Sequence, residues 1–417
     1  NLQEMEREYL HAASLPSSLV EAQSRARSEC QMAWRKAKAD DDFASLVPKL
    51  EELVDIQREI GRVKGEALQL APYDALLDEF APGWTSESVD ALFEELAAFL
   101  PELIDEVIEA QAAEPAPEPP EGPFAVEDQR ALAERLMVEL GFDFERGRLD
   151  ESAHAFCGGA TDDIRITIDY LEDDFARSLM AVLHETGHAL YEFGLPGDWA
   201  YQPVGQARGM TIHESQSILV EMQVCRSRAF LEFAAPLLRE AFGGSGPRWE
   251  ADNLARLATR VERGLIRIDA DEVTYPAHVL LRYQLERQLI DGDLEVEELP
   301  EAWNALMDEY VGVVPSTDRD GCLQDIHWVS GAFGYFPTYT LGALAAAQLF
   351  EAAERDIDAV RQSISRGEFE PLVDWLREHV HHRASSVGSD ALIEDATGQP
   401  LSTRAFRRHI RRRYLGE

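Results

Sequence analysis

The sequence predicts a mainly α-helical protein with one small β-sheet, and three observations carry that expectation. Apolar residues recur at helical spacing through most of the chain. Leu46, Leu50, Leu53 and Ile60 form one such face, and Leu92, Leu96, Phe99 and Leu100 form another. One segment breaks the pattern. In Asp163–Tyr170, Ile164, Ile166, Ile168 and Tyr170 alternate with Arg165, Thr167 and Asp169, the period-two signature of a strand with one buried face. The pattern then returns to helix over Phe175–Phe193, with Asp173 or Asp174 placed to cap its start and Gly194 and Pro196 to end it. The sheet should therefore lie beside that helix.

A chain of 417 residues with 45% hydrophobic composition can bury a sizeable core, and no apolar run is long enough to span a bilayer as a helix. Seventy-eight acidic residues against thirty-nine basic give a net charge of -39, which excludes nucleic acid and membrane surfaces as expected partners. Lys36, Lys38, Lys49 and Lys64 are the only lysines. An acidic, lysine-poor surface suits a high-salt cytosol, where screening removes self-repulsion, although a GC-rich genome biases composition the same way. Cys30, Cys157, Cys225 and Cys322 form no CxxC pair, so a reducing cytoplasm is expected.

The chain reads as a single helical domain over 1–417. A proline-rich surface loop, 114–123 (EPAPEPPEGP), divides a front helical section, 1–113, from a catalytic section, 124–417. Near the end, Phe406, Ile410 and Tyr414 recur every four residues, marking an amphipathic closing helix whose arginines suit its C-terminal dipole. His379, His381 and His382 alternate at a helix end without carboxylate partners and are expected to be solvated.

The chemistry is concentrated in His184-Glu185-Thr186-Gly187-His188, an HExxH motif expected by chance only about 0.03 times in a chain of this composition. On a helix, His184 and His188 lie one turn apart on one face, so both imidazoles can reach one zinc ion. Glu185 points aside, where it can serve an attacking water as general base. A catalytic zinc needs a third protein ligand, and His213-Glu214-Ser215-Gln216 opens another helical run downstream. Glu214 is the leading candidate, with His213 and Glu221 as competitors.

The order of motifs resembles the carboxypeptidase Taq family of metallocarboxypeptidases. Its signatures are His154-Ala155-Phe156, Asp163-Ile164-Arg165-Ile166-Thr167, the HETGH helix, HESQ, Ile266-Arg267…Ala270-Asp271 and Gly321…Gln324-Asp325-Ile326-His327-Trp328. The resemblance implies a helical zinc-peptidase fold with a deep cleft, a cytosolic homodimer, and zinc, or cobalt in its place, held by His184, His188 and Glu214. It implies removal of single residues from peptide C-termini with broad side-chain tolerance. Two departures stand out: Ala155 replaces the family's usual proline, so the loop carrying His154 is expected to be less rigid, and the chain is expected to begin inside the family's longer N-terminal section.

Further roles follow from what peptide hydrolysis requires. His327, Tyr335 and Tyr339 resemble the oxyanion donors of related helical zinc peptidases. Gln324 and Asp325 are expected to orient ligands, and the DIRIT strand to accept extended substrate as an added strand. Exo-cleavage needs a fixed cation for the free carboxylate, a role the resemblance places at Arg267, with Arg165 and Arg282 as alternatives and His154 as a further substrate contact. Against this, Arg267 could simply pair with Asp271 on a shared helix face. The rival functions are a helical oligopeptidase or endopeptidase, and a non-catalytic acidic binding protein. Intact HETGH and HESQ argue against the last.

Overall fold

The structure is a computed structural model and describes residues 1–152, 155–160 and 162–417; His154 lies outside the described residues. The chain forms two compact units, Asn1–Glu109 with Val261–Thr340, and Ala110–Arg260 with Leu341–Glu417. The front helical section is thus joined by a later stretch, 261–340. Among the described residues, no helix is long and apolar enough to cross a membrane.

In the first unit, the helix Phe43–Leu68 starts where the Asp42 side chain accepts the backbone N–H of Ser45, and its buried stripe is the expected one: Leu46, Leu50, Leu53 and Ile60. The later segment 261–340 contributes the helix Tyr275–Asp291, which packs on Phe43–Leu68. One buried carboxyl ties several parts of this unit together. Glu286 accepts hydrogen bonds from the Tyr73 hydroxyl at 2.6 Å, the Trp328 indole at 3.1 Å and the Gly334 backbone at 3.3 Å.

In the second unit, three strands form a sheet in the order β1 (Gly147–Glu151), β3 (Asp163–Ile168), β2 (Phe156–Ala160). β1 runs parallel to β3 and β2 antiparallel, with Leu149 and Cys157 flanking Ile166. Ile164, Ile166 and Ile168 are buried as the alternation requires, and β3 packs against the helix Phe175–Gly194. This topology corrects one expectation. Both hydrogen-bonding edges of β3 are already occupied by its neighbours, so the DIRIT strand cannot take a substrate as an added strand.

Two further expectations meet the same unit. The closing helix forms over Thr403–Ile410 with Phe406 and Ile410 buried, and three of its arginine-rich run pair with acids: Arg408 with Glu351, Arg411 with Glu417 and Arg412 with Glu354. His381 is not solvated. It is 1% exposed, packs against Gly194, and its Nε2 lies 3.0 Å from the Gln216 side-chain oxygen. The sequence shows no carboxylate beside it because its partner is an amide from a distant helix.

Burial pushes the Glu286 carboxyl up to about 8, although all three donors favour its ionised form. Between its unfolded value near 4.5 and about 8, the folded state holds a proton that the unfolded chain releases, so this group's contribution falls as pH rises. Glu286→Gln cannot titrate. Its urea midpoint relative to the native chain should therefore improve between about pH 5 and about pH 8. A constant difference across that range would contradict the assignment.

Candidate active site

The HETGH helix, Phe175–Gly194, begins at Asp174, whose side chain accepts the backbone N–H of Arg177 at 3.1 Å. Phe175, Val182, Leu183 and Leu190 join the second unit's core and hold the helix in place. The HESQ helix, Gly209–Ile218, lies directly against it. The approach is closest at Gly187, where a Cβ would stand 2.6 Å from the Gln216 carbonyl oxygen and 2.6 Å from the Ser217 Cα. Only glycine fits there. A second glycine confines the Glu214 side chain: a Cβ on Gly342 would meet Glu214 Cβ at 2.9 Å and Cγ at 3.0 Å.

Between these two contacts, Glu214 presents Oε1 3.7 Å from His184 Nε2 and Oε2 3.5 Å from His188 Nε2. Such distances are too long for hydrogen bonds. They match the spacing of about 3.4 Å between ligand atoms held roughly 2.1 Å from a tetrahedral ion. Among the described residues, these three form the group whose ligand atoms all gather within 4.8 Å of one another. The donor set fits a divalent metal.

Electrostatics point the same way. Burial alone would lower the His184 pKa, but Glu221, Glu214 and Glu185 push it up to about 10. The pocket therefore favours a positive charge on this ring, and a metal in place of the proton answers the same field. Glu185 is pushed up to about 6, first by burial, with His184 opposing and Glu214 adding.

Both competitors for the third ligand position are turned to other work. The His184 Nδ1–H donates to Glu221 at 2.9 Å, and Glu221 in turn accepts from Arg226 Nη2 at 2.8 Å and Nε at 3.1 Å. Burial opposes ionisation of Glu221, but Arg226 and His184 hold its pKa below the usual value. It lies in a π-helical turn, Leu219–Cys225, an irregularity common at functional sites. His213 meets His188 through Nδ1 rather than offering a fourth ligand atom. Sequence spacing carried a signal for Glu221: it follows Glu214 by seven residues, two helical turns along one face. Nothing in the sequence pointed to Arg226 or to Gly342.

The first unit holds a separate cluster. Arg267 donates to Asp325 Oδ1 through Nη2 at 2.8 Å and Nε at 3.0 Å, and to the Tyr275 hydroxyl at 2.7 Å. Arg282, fully buried, donates to Asp325 Oδ2 at 2.6 Å and stacks over Trp303. Burial would raise the Asp325 pKa, yet the two guanidinium groups hold it well below the usual carboxylate range. Two arginines on one aspartate leave a buried positive charge. The expected Arg267–Asp271 pair does not form. Arg267 stands on a short 3-10 turn, and Asp271 accepts the backbone N–H groups of Glu262, Val273 and Thr274 instead. Asp325 and Gln324 do orient a neighbour, and that neighbour is Arg267, whose backbone N–H donates to Gln324.

His327, Tyr335 and Tyr339 lie together: His327 Nε2 is 3.1 Å from the Tyr339 hydroxyl, and the two tyrosine rings are 5.3 Å apart. Burial, with Arg267 adding, lowers the His327 pKa to about 3, so this ring is neutral. Arg165 stands apart on the exposed side of β3, paired with Asp163.

Residues 1–414 match the carboxypeptidase Taq (M32) metallopeptidase family. The chain belongs to that family. It is a metal-dependent carboxypeptidase, and its relatives agree along nearly the whole length. Thermostable carboxypeptidase 1 of Thermus thermophilus is 38% identical, over 99% of this chain and 82% of that protein. Carboxypeptidase 1 of Bacillus subtilis is 36% identical, over 93% and 77%. Metallocarboxypeptidase 1 of Trypanosoma cruzi superposes with a TM-score of 0.97 at 43% identity, covering 99% of this chain and 83% of its own. The M32 carboxypeptidase of Deinococcus radiodurans gives 0.92 at 34%, covering 99% and 83%.

In this M32 chain, Gly187→Ala should force the HESQ helix away from the HETGH helix, at a cost of about 1–3 kcal/mol in stability. Zinc affinity, measured by chelator competition, should fall with it. Unchanged affinity would show that the placement of Glu214 does not depend on this contact.

Proposed function

We propose that this carboxypeptidase releases single residues from free peptide C-termini with broad side-chain tolerance, using zinc, with cobalt able to replace it, held by His184, His188 and Glu214. The reading extends to a cytosolic homodimer, on the family resemblance alone. The observation that carries the chemistry is the Glu214 carboxylate facing two imidazole Nε2 atoms beside a buried Glu185. A divalent ion held by His184, His188 and Glu214 would supply Lewis acidity toward the substrate carbonyl and toward an attacking water at neutral pH. Glu185 takes the proton from the attacking water and returns it to the leaving amine. His327, neutral and hydrogen-bonded to Tyr339, and the Tyr335 and Tyr339 hydroxyls are the donors assigned to the developing oxyanion.

Arg267 receives the free carboxylate in this reading. Three of its five N–H groups are occupied by Asp325 and Tyr275, which fix its plane and leave two for a ligand. The charge shared with Arg282 exceeds what Asp325 neutralises, so an anion is favoured nearby. Arg282 is entirely enclosed and Arg165 is half exposed on a strand face, and both suit the role less well. His154 keeps its proposed substrate contact on motif position only.

Glu185→Gln should retain zinc yet lose kcat by about 10²–10⁴-fold, because the amide cannot accept the proton. Near-normal turnover with metal bound would overturn this assignment. Arg267→Ala should cut kcat/KM on free-carboxylate peptides by roughly 2–5 kcal/mol, while slow cleavage of amidated peptides, where present, stays unchanged. Equal loss on both substrates would favour an endopeptidase or a purely structural arginine.

A further inference from the structure

The two histidines of the HETGH helix are supported in different ways. His184 leans directly on a carboxylate, Glu221, that is itself clamped by Arg226. His188 has a second imidazole behind it instead. Its Nδ1 lies 2.6 Å from His213 Nδ1, and His213 Nε2 lies 2.8 Å from Glu192 Oε1. These three groups come from the HETGH and HESQ helices, and Tyr191 holds His213 edge-on with ring centres 5.3 Å apart.

The chain of contacts fixes where each proton sits. A carboxylate only accepts, so His213 Nε2 carries a hydrogen toward Glu192. With its Nε2–H directed at Glu192, His213 can accept at Nδ1, and the single proton between the two Nδ1 atoms is then that of His188. With its proton on Nδ1, His188 presents a bare Nε2, the atom that faces Glu214 Oε2 at 3.5 Å. The opposite arrangement would need His213 to be a cation and would place the remaining proton of neutral His188 on the metal-facing nitrogen.

We infer that His213 is a positioning residue for the metal: with Glu192 behind it, it locks His188 into the tautomer and ring orientation that bind a divalent cation through Nε2. The inference rests on the metal reading proposed above. It also gives the first residue of HESQ a task distinct from ligation. The relay sets the nearest carboxylate on this side one ring farther from the metal. His188 would therefore be a less electron-rich ligand than one backed directly by a carboxylate, and would leave an ion held there more electrophilic.

The test separates hydrogen-bond acceptance from space-filling. His213→Phe keeps the ring and its packing on Tyr191 but cannot accept the His188 Nδ1–H. His213→Asn is smaller, yet its side-chain oxygen can stand close to where Nδ1 stood. Zinc affinity of the metal-free proteins, measured by chelator competition, should fall about 10–100-fold in His213→Phe and recover most of the way in His213→Asn. Thermal unfolding of each metal-free variant checks that it is folded. If His213→Phe binds zinc as tightly as the native chain, or His213→Asn binds as weakly as His213→Phe, the inference is overturned. His188→Ala is the control for the underlying reading: native-like zinc affinity there would overturn the metal assignment itself, whereas a loss there with no effect at His213 would overturn the positioning role alone.

Discussion

The backbone contact at Gly187 is the constraint on which the grouping of His184, His188 and Glu214 depends. Helical spacing alone brings His184 and His188 onto one face, because four residues make one turn. It does nothing for Glu214, which has to arrive from another helix at a separation set by whatever lies between. Here nothing lies between: the HESQ helix seats its Gln216–Ser217 backbone on the bare Cα of Gly187. Gly342 then closes on the Glu214 Cβ and Cγ. A carboxylate hemmed in at both ends of its aliphatic stem has few rotamers left, so it faces the imidazoles before any ion arrives. The ordering entropy of the site is met by core packing during folding and not by the ligand during binding.

The two polar clusters have opposite signs, and each sign follows from simple counting. Around His184 stand Glu185, Glu214 and Glu221, with Arg226 offsetting only the last, so the pocket favours a cation. Around Asp325 stand Arg267 and Arg282, so that pocket favours an anion. Burial sharpens both, since low polarity strengthens a charge imbalance that water would screen. It also explains why His327, beside the arginines, is neutral and bonded to Tyr339.

The helical class, the DIRIT strand, both ends of the HETGH helix and the grouping of His184 and His188 with Glu214 were legible in the sequence. Each is a local pattern, or two patterns at a spacing with chemical meaning. What escaped is tertiary. The place of β3 in the middle of its sheet depends on flanking strands with weak patterns of their own, Gly147–Glu151 and Phe156–Ala160. The burial of His381 depends on a partner 165 residues away, Gln216. The pairing of Arg267 spans 58 residues to Asp325, whereas the nearer Asp271 was the obvious partner on a helix that turns out to be a single 3-10 turn. A short irregular element defeats periodicity arguments because it has no period.

The net charge of -39 bears on how a carboxylate-ended peptide could be recognised at all. At long range such a surface repels the anionic end of a substrate, and electrostatic steering works against association wherever salt does not screen it. Recognition then has to be short-ranged, made by a cation whose field is not cancelled by its surroundings. A surface lysine or arginine among seventy-eight acids would be neutralised, as Arg408, Arg411 and Arg412 are by Glu351, Glu417 and Glu354. A buried pair that outnumbers its single aspartate is not. The same acidity that makes the protein's exterior a poor place to bind a carboxylate favours the proposed role of the enclosed Arg267–Asp325–Arg282 arrangement, whose charge bulk salt screens only weakly.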